Sequence, residues 1–147
     1  MKRNPTAALA FLLSAVIVPL SACGYSAVIT ANWGISLPDE AGCAEIYSAD
    51  TGSSPHGDGK RYHIFSYESE GPIEEMFDWS RDEQELAYDA SYSEAVEKWL
   101  GEIAVPDEYR PNIAECVYHY EREAGNDEII IFWSSSENRL YVLESFL

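Results

Sequence analysis

The sequence EIIIFWSS, Glu128–Ser135, places five large apolar residues in a row beside polar turn sequences. A short run of this kind predicts a central β-strand that is buried on both faces. The turn AGND separates it from ECVYHYERE (Glu115–Glu123), and the turn SENR separates it from LYVLESFL (Leu140–Leu147). Because both connections are short, the final third of the chain is predicted to form three antiparallel strands.

Two further strands and two helices are expected upstream of these three strands. The runs CAEIYSA (Cys43–Ala49) and RYHIFSYE (Arg61–Glu68) are rich in β-forming residues and flank a glycine-rich loop, which indicates a long-looped hairpin. Pro72 suits the first position of one helix, and Ser91 with Glu94 forms a capping box at the start of another. The order ββ-αα-βββ predicts an α+β domain, in which about five antiparallel strands carry two helices on one face.

The N-terminus has the features of an export signal. Lys2 and Arg3 precede an apolar run of 14 residues, Ala7–Leu20. This run is too short to cross ~30 Å of hydrocarbon comfortably, and Pro19 would disturb its last turn. Its length favours a secretory signal peptide, although an uncleaved anchor helix or a buried core helix would also accommodate it.

Leu20-Ser21-Ala22-Cys23 resembles the lipobox of bacterial lipoproteins. The resemblance implies that a diacylglyceryl group is attached to the Cys23 sulfur, that the leader is cut before Cys23, and that fatty chains such as palmitate anchor the protein. We therefore expect residues 1–22 to be a signal peptide, 23–32 a tether, and 33–147 a single domain. Gly24 after the cysteine permits either the cell membrane or an outer membrane, with the domain on the extracytoplasmic side.

Two cysteines remain once Cys23 is assigned to the lipid. Cys43 and Cys116 each open a predicted strand, and exported proteins fold in an oxidising compartment. We expect these two cysteines to form a disulfide, with two separate buried thiols as the alternative. The sequence has no Cys-x-x-Cys motif or zinc-ligand spacing, so no metal site is predicted.

The chain is strongly acidic, with 26 acidic and 9 basic residues and a net charge of −17. Removal of residues 1–22 takes away two basic residues and no acid, which leaves 7 bases and a net charge of −19 over 125 residues. This charge argues against binding to nucleic acid, whose phosphates require Lys and Arg. It is compatible with a basic protein partner.

One loop contains several residues whose side chains are suited to ligand binding or proton transfer. His56, Asp58, Lys60 and His63 lie within eight positions, which suggests a ligand-contacting loop or an acid/base pair, although Asp-Gly is also common turn chemistry. The segment PHGDGKRYHIF, Pro55–Phe65, also resembles a recurrent pattern in small bacterial proteins, in which a His-Gly-Asp-Gly loop precedes a strand. That resemblance supports the fold of residues 33–147 and implies no activity.

The aromatic residues allow two interpretations. Tyr62, Tyr67 and Tyr141 could line an exposed groove for a sugar or peptide, or they could pack in the core and across strands. Core packing is the simpler interpretation.

Together these features predict a membrane-anchored, extracytoplasmic lipoprotein with a non-catalytic binding domain and no cofactor. The domain would bind an envelope component or a protein. One alternative is an acidic inhibitor or immunity-type lipoprotein that neutralises a basic enzyme such as a lysozyme. Another is a hydrolase that uses His56 and Asp58.

Overall fold

A computed structural model describes residues 24–39, 42–52, 57–82 and 91–147. The lipobox and His56 lie outside these described residues. Within the described ranges, no helix combines the length and the apolar character needed to cross a bilayer.

Five antiparallel strands form one sheet. In chain order they are β1 (Ala44–Asp50), β2 (Gly59–Ser66), β3 (Val117–Arg122), β4 (Glu128–Ser134) and β5 (Arg139–Phe146). Their order across the sheet is β1-β2-β5-β4-β3, so β1 and β3 are the two edge strands. Every residue of β4 is buried, as its continuous apolar run predicts, while β5 occupies the middle position. The α+β class and the antiparallel sheet are therefore confirmed.

Among the described residues, three α-helices accompany the sheet: α1 (Ser26–Trp33), α2 (Gly71–Glu74) and α3 (Tyr92–Ile103). The capping box is present at the start of α3, where the Ser91 side chain accepts a hydrogen bond from the Glu94 amide. Two 3-10 turns, Asp107–Tyr109 and Ile113–Glu115, connect α3 to β3. The predicted order ββ-αα-βββ is wrong at its start, because α1 precedes β1.

The helices cover both faces of the sheet, so the prediction that they pack on one face is also wrong. Successive side chains of a strand point to opposite faces, and Ile130 and Ile131 accordingly belong to two separate cores. The α3 face contains Ile130 together with Val96, Trp99 and Leu100 of α3. The α1 face contains Ile131 together with side chains from both of the other helices, namely Ile29, Trp33 and Ile73.

Helix α1 occupies most of residues 23–32, which we expected to form a tether. Ile29 is fully buried and Trp33 is 8% exposed, so both side chains contribute to the core of the α1 face. The folded domain thus extends upstream of residue 33, to the start of α1. The sequence did not predict this helix, because its apolar residues are not gathered on one face.

The predicted Cys43–Cys116 disulfide is wrong. Cys43 directly precedes β1 and Cys116 directly precedes β3, so they lie at opposite edges of the sheet. Four strand spacings separate these edges by roughly 19 Å, whereas bridged Cα atoms lie within about 7 Å. Cys116 is a free, buried thiol, and its Sγ lies 3.4 Å from the carbonyl oxygen of Asn112. Burial raises the pKa of Cys116 to about 12.

Candidate functional site

The residues of the predicted ligand loop do not converge on one site. His56 lies outside the described residues, and Asp58 is exposed in the loop between β1 and β2. Lys60 and His63 both belong to β2, but they are three positions apart and therefore point to opposite faces of the sheet.

Lys60 is held against the α3 face. Its Nζ lies 2.7 Å from Glu102 Oε2 and 5.9 Å from the centroid of the Trp99 ring. Only 15% of the Lys60 side chain is exposed. This ammonium group therefore attaches β2 to the last turn of α3.

His63 is buried on the α1 face. Its Nδ1 lies 2.6 Å from Glu45 Oε1, and its ring stacks on the Tyr25 ring at a centroid distance of 3.5 Å. Burial lowers the pKa of His63, and the neighbouring Glu45 carboxylate opposes that shift. These contacts hold the imidazole between β1 and the start of α1.

The base of the β1–β2 loop forms an open pocket of about 250 Å³, lined in part by Asp50 and Asp58. Asp50 Oδ1 accepts a hydrogen bond from the Gly52 amide at 2.7 Å, and Thr51 Oγ1 accepts one from the Lys60 amide at 2.9 Å. Gly59 has a φ of 135°, and a Cβ there would lie 2.6 Å from Thr51 Oγ1. Hydrogen bonds of the Asp50–Gly52 turn and the positive φ of Gly59 account for the backbone at the base of this loop.

The described part of the chain contains no group of three or more His, Cys, Asp or Glu residues arranged to hold a metal ion. The exposed groove suggested by the tyrosines is also not formed. Tyr62, Tyr67 and Tyr141 are all buried, with exposed fractions of 0%, 4% and 1%. They belong to the two cores, which is the simpler of the two interpretations.

A buried carboxylate joins α1 to the sheet. Glu144 of β5 is fully buried, and its two oxygens accept hydrogen bonds from Tyr25 Oη and Trp33 Nε1, each at 2.7 Å. Arg61 Nη1 donates a hydrogen bond to Tyr25 Oη at 3.3 Å, and the Arg61 guanidinium lies 4.6 Å from the Phe146 ring. We call Tyr25, Trp33, Arg61 and Glu144 the α1 clamp.

The α1 clamp positions a helix because its polar groups satisfy one another. Burial and the hydrogen bond to Glu144 raise the pKa of the Tyr25 phenol, so this group stays protonated and donates. Sequence reasoning missed the clamp, although a single carboxylate inside the apolar run LYVLESFL was an available signal. A carboxylate at such a position requires buried hydrogen-bond donors.

A second feature is an exposed acidic surface. The segment Glu68–Asp78, which we call the acidic segment, contains five carboxylates and no Lys, Arg or His. All five are exposed: Glu68, Glu70, Glu74, Glu75 and Asp78. The segment follows β2, where the Tyr67 amide donates a hydrogen bond to the Asn138 carbonyl at 2.9 Å.

The basic residues do not offset this acidic surface, because several of them are engaged elsewhere. Arg110 Nη1 lies 3.3 Å from Glu97 Oε2, and Arg139 Nη1 lies 3.8 Å from Glu137 Oε1. Lys60 and Arg61 have the contacts given above. The arrangement favours attraction of cationic groups to the acidic segment. Comparison with protein-family profiles, curated proteins and solved structures finds no match to this chain.

Proposed function

We propose that this protein is a lipoprotein anchored through Cys23, with an extracytoplasmic domain that binds a partner without catalysing a reaction. The observation that carries the anchor is the match of all four positions of Leu20-Ser21-Ala22-Cys23 to a lipobox, after a basic and apolar leader. Two or more acyl chains, at ~0.8 kcal/mol per buried methylene, are sufficient for stable attachment.

Binding without catalysis is supported by what the predicted loop residues do. Lys60 is engaged by Glu102, and His63 is enclosed by Glu45 and Tyr25. Both side chains therefore have structural contacts that account for their positions. The acidic segment is an exposed surface rich in carboxylates, and such a surface recognises a partner through its charge.

The acidic segment also favours a second, more specific function. A domain with a net charge of −19 after processing would attract a basic enzyme, as an inhibitor or immunity-type lipoprotein does. Five exposed carboxylates, with Arg81 as the neighbouring base beside Glu74, would supply the complementary surface. The partner class would then be a cationic protein such as a lysozyme.

Mass spectrometry of the membrane fraction tests the anchor. We expect a mature N-terminus at Cys23 with attached acyl chains, and a Cys23→Ser variant that is neither processed nor held in the membrane. The structure has Cys43 in a disulfide and Cys116 as a free thiol, so the proposed anchor requires Cys43 to be reduced in the mature protein. A Cys23–Cys43 disulfide would contradict the proposal, since a sulfur that carries a lipid cannot also form a disulfide.

Two matched variants test the acidic segment. One replaces three of its carboxylates (Glu70→Gln, Glu74→Gln, Glu75→Gln), and the other makes the same charge change elsewhere (Glu97→Gln, Glu108→Gln, Glu123→Gln). Binding of a lysozyme at low ionic strength should weaken more in the first variant than in the second. It should also be lost near about 0.5 M salt, where exposed charges are screened. Equal weakening in both variants would show that net charge, and not this surface, drives the interaction.

A further inference from the structure

Helix α1 is unusual in this acidic chain because none of its residues, SAVITANW, is charged. Ile29 packs on the sheet, while Ala27 and Ala31 lie about 200° around the helix from it and are exposed. Val28, beside them, is 37% exposed and is one of three large apolar side chains exposed among the described residues. A helix that is apolar on both its inner and its outer side typically packs against an apolar partner on each side.

The start of α1 lies close to the attachment point of the lipid. Ser26 is the third residue after Cys23, and three extended residues span at most about 11 Å. The α1 clamp fixes this end of the helix to the sheet through Tyr25. The distance and the clamp together keep α1 near the surface of any membrane that holds the lipid.

We infer that the outer face of α1, formed by Ala27, Val28 and Ala31, lies in the headgroup region of the membrane to which Cys23 is attached. The inference rests on the proposed anchor. The bilayer is then the second apolar partner of α1, and it sets the orientation of the domain.

Site-specific photocrosslinking in intact membranes tests this contact. The full-length protein is expressed with p-benzoylphenylalanine in place of Ala31, or in place of Glu97 on the exposed side of α3, across the sheet from α1, as the matched control. Both sites are exposed, so the probe should leave the fold intact, and thermal unfolding of each purified variant checks this. After irradiation, mass spectrometry identifies the adducts and the modification of Cys23 in the same sample.

Phospholipid adducts at position 31 and none at position 97 are the expected result. Lipid adducts at neither position, or equally at both, would overturn the inference while a lipidated Cys23 keeps the anchor intact. Adducts of position 31 to another protein, or to an uncleaved leader of this chain, would also overturn it. An unlipidated Cys23 would remove the proposed anchor together with the inference.

Discussion

On the α3 face, a twelve-residue amphipathic helix packs on aromatic and aliphatic side chains, whereas on the α1 face two shorter helices are docked partly through polar contacts. The α3 face includes a stack of Tyr92 on Tyr118 at 3.9 Å and another of Phe132 on Tyr141 at 5.1 Å. The α1 face depends in addition on Glu144, a fully buried carboxylate. Both sides of the sheet are therefore stabilised by apolar packing, and each side holds a buried carboxylate. On the α3 face this is Glu128, which accepts a hydrogen bond from Tyr120 Oη, but Glu144 on the α1 face is the one that connects a helix to the sheet.

The difference shows how each helix gains stability from its surroundings. Helix α3 has a capping box and an apolar stripe, so local sequence and packing favour the same conformation. Helix α1 has eight residues and no side-chain cap, so it would be marginal in isolation. Its stability must come from the buried contacts of Ile29 and Trp33 and from the hydrogen bonds to Glu144.

The largest expected effects come from neighbouring residues of β4 that face opposite cores. Ile130→Ala and Ile131→Ala each remove a fully buried side chain, the first from the α3 face and the second from the α1 face. Each should lower the free energy of unfolding by about 2–5 kcal/mol in chemical denaturation. If Ile131→Ala has almost no effect while Ile130→Ala is severe, the α1 face is not a packed core.

Glu144→Gln should lower the free energy of unfolding through the α1 face alone. The substitution removes the charged acceptor of the hydrogen bonds from Tyr25 and Trp33 and places an amide beside these two donors. We therefore expect the free energy of unfolding to fall by about 2 kcal/mol. The matched control is Glu97→Gln on the exposed side of α3, where an ion pair with Arg110 should contribute little. Similar small losses in both variants would show that the clamp does not stabilise the fold.

Ser91→Ala should affect only the α3 side. The Ser91 hydroxyl accepts a hydrogen bond from the Glu94 amide, and loss of such a cap lowers the free energy of unfolding by about 1 kcal/mol. Ser48→Ala, at an exposed position of β1, serves as the control and should be nearly neutral. A neutral Ser91→Ala would indicate that the helix begins elsewhere.

His63 gives the smallest expected effect, because burial and Glu45 shift its pKa in opposite directions and the net shift is downward. As the pH falls below about 6.5, the unfolded chain takes up the proton before the folded one. The stability associated with neutral His63 is thus present above that pH and declines as the pH approaches the folded-state pKa.

Unfolding at about pH 7.5 and about pH 5.5 tests this, with His63→Phe as the comparison. Acidification should destabilise the wild type more than the variant. Arg61 and Glu144 also face this ring, so both proteins must keep them. An equal change in both proteins would assign the pH dependence to other groups.

The sequence was sufficient to predict the features that depend on residues close together in the chain. The continuous run around Ile130 predicted a fully buried strand, and Ser91 with Glu94 predicted the start of α3. Both features depend on neighbouring residues, whose spacing the sequence contains directly. The ligand loop was predicted from residue types alone, and alternation along β2 separates Lys60 from His63.

Long-range relationships could not be predicted in the same way. The strand order separates Cys43 from Cys116, and no local pattern specifies that order. The α1 clamp joins Tyr25 to Glu144 across 119 positions, and α1 itself has no amphipathic pattern. Such contacts become visible only when the sheet topology brings the residues together.

Amide hydrogen exchange tests the central claim most directly, namely that α1 is an integral part of the fold and is held on the sheet by Glu144. The hydrogen-bonded amides of Ile29 and Gly34 should exchange slowly, as the amides of α3 do, and Glu144→Gln should accelerate α1 far more than α3. Exchange of α1 as rapid as that of the exposed Ser69–Gly71 stretch, with α3 fully protected, would contradict the account.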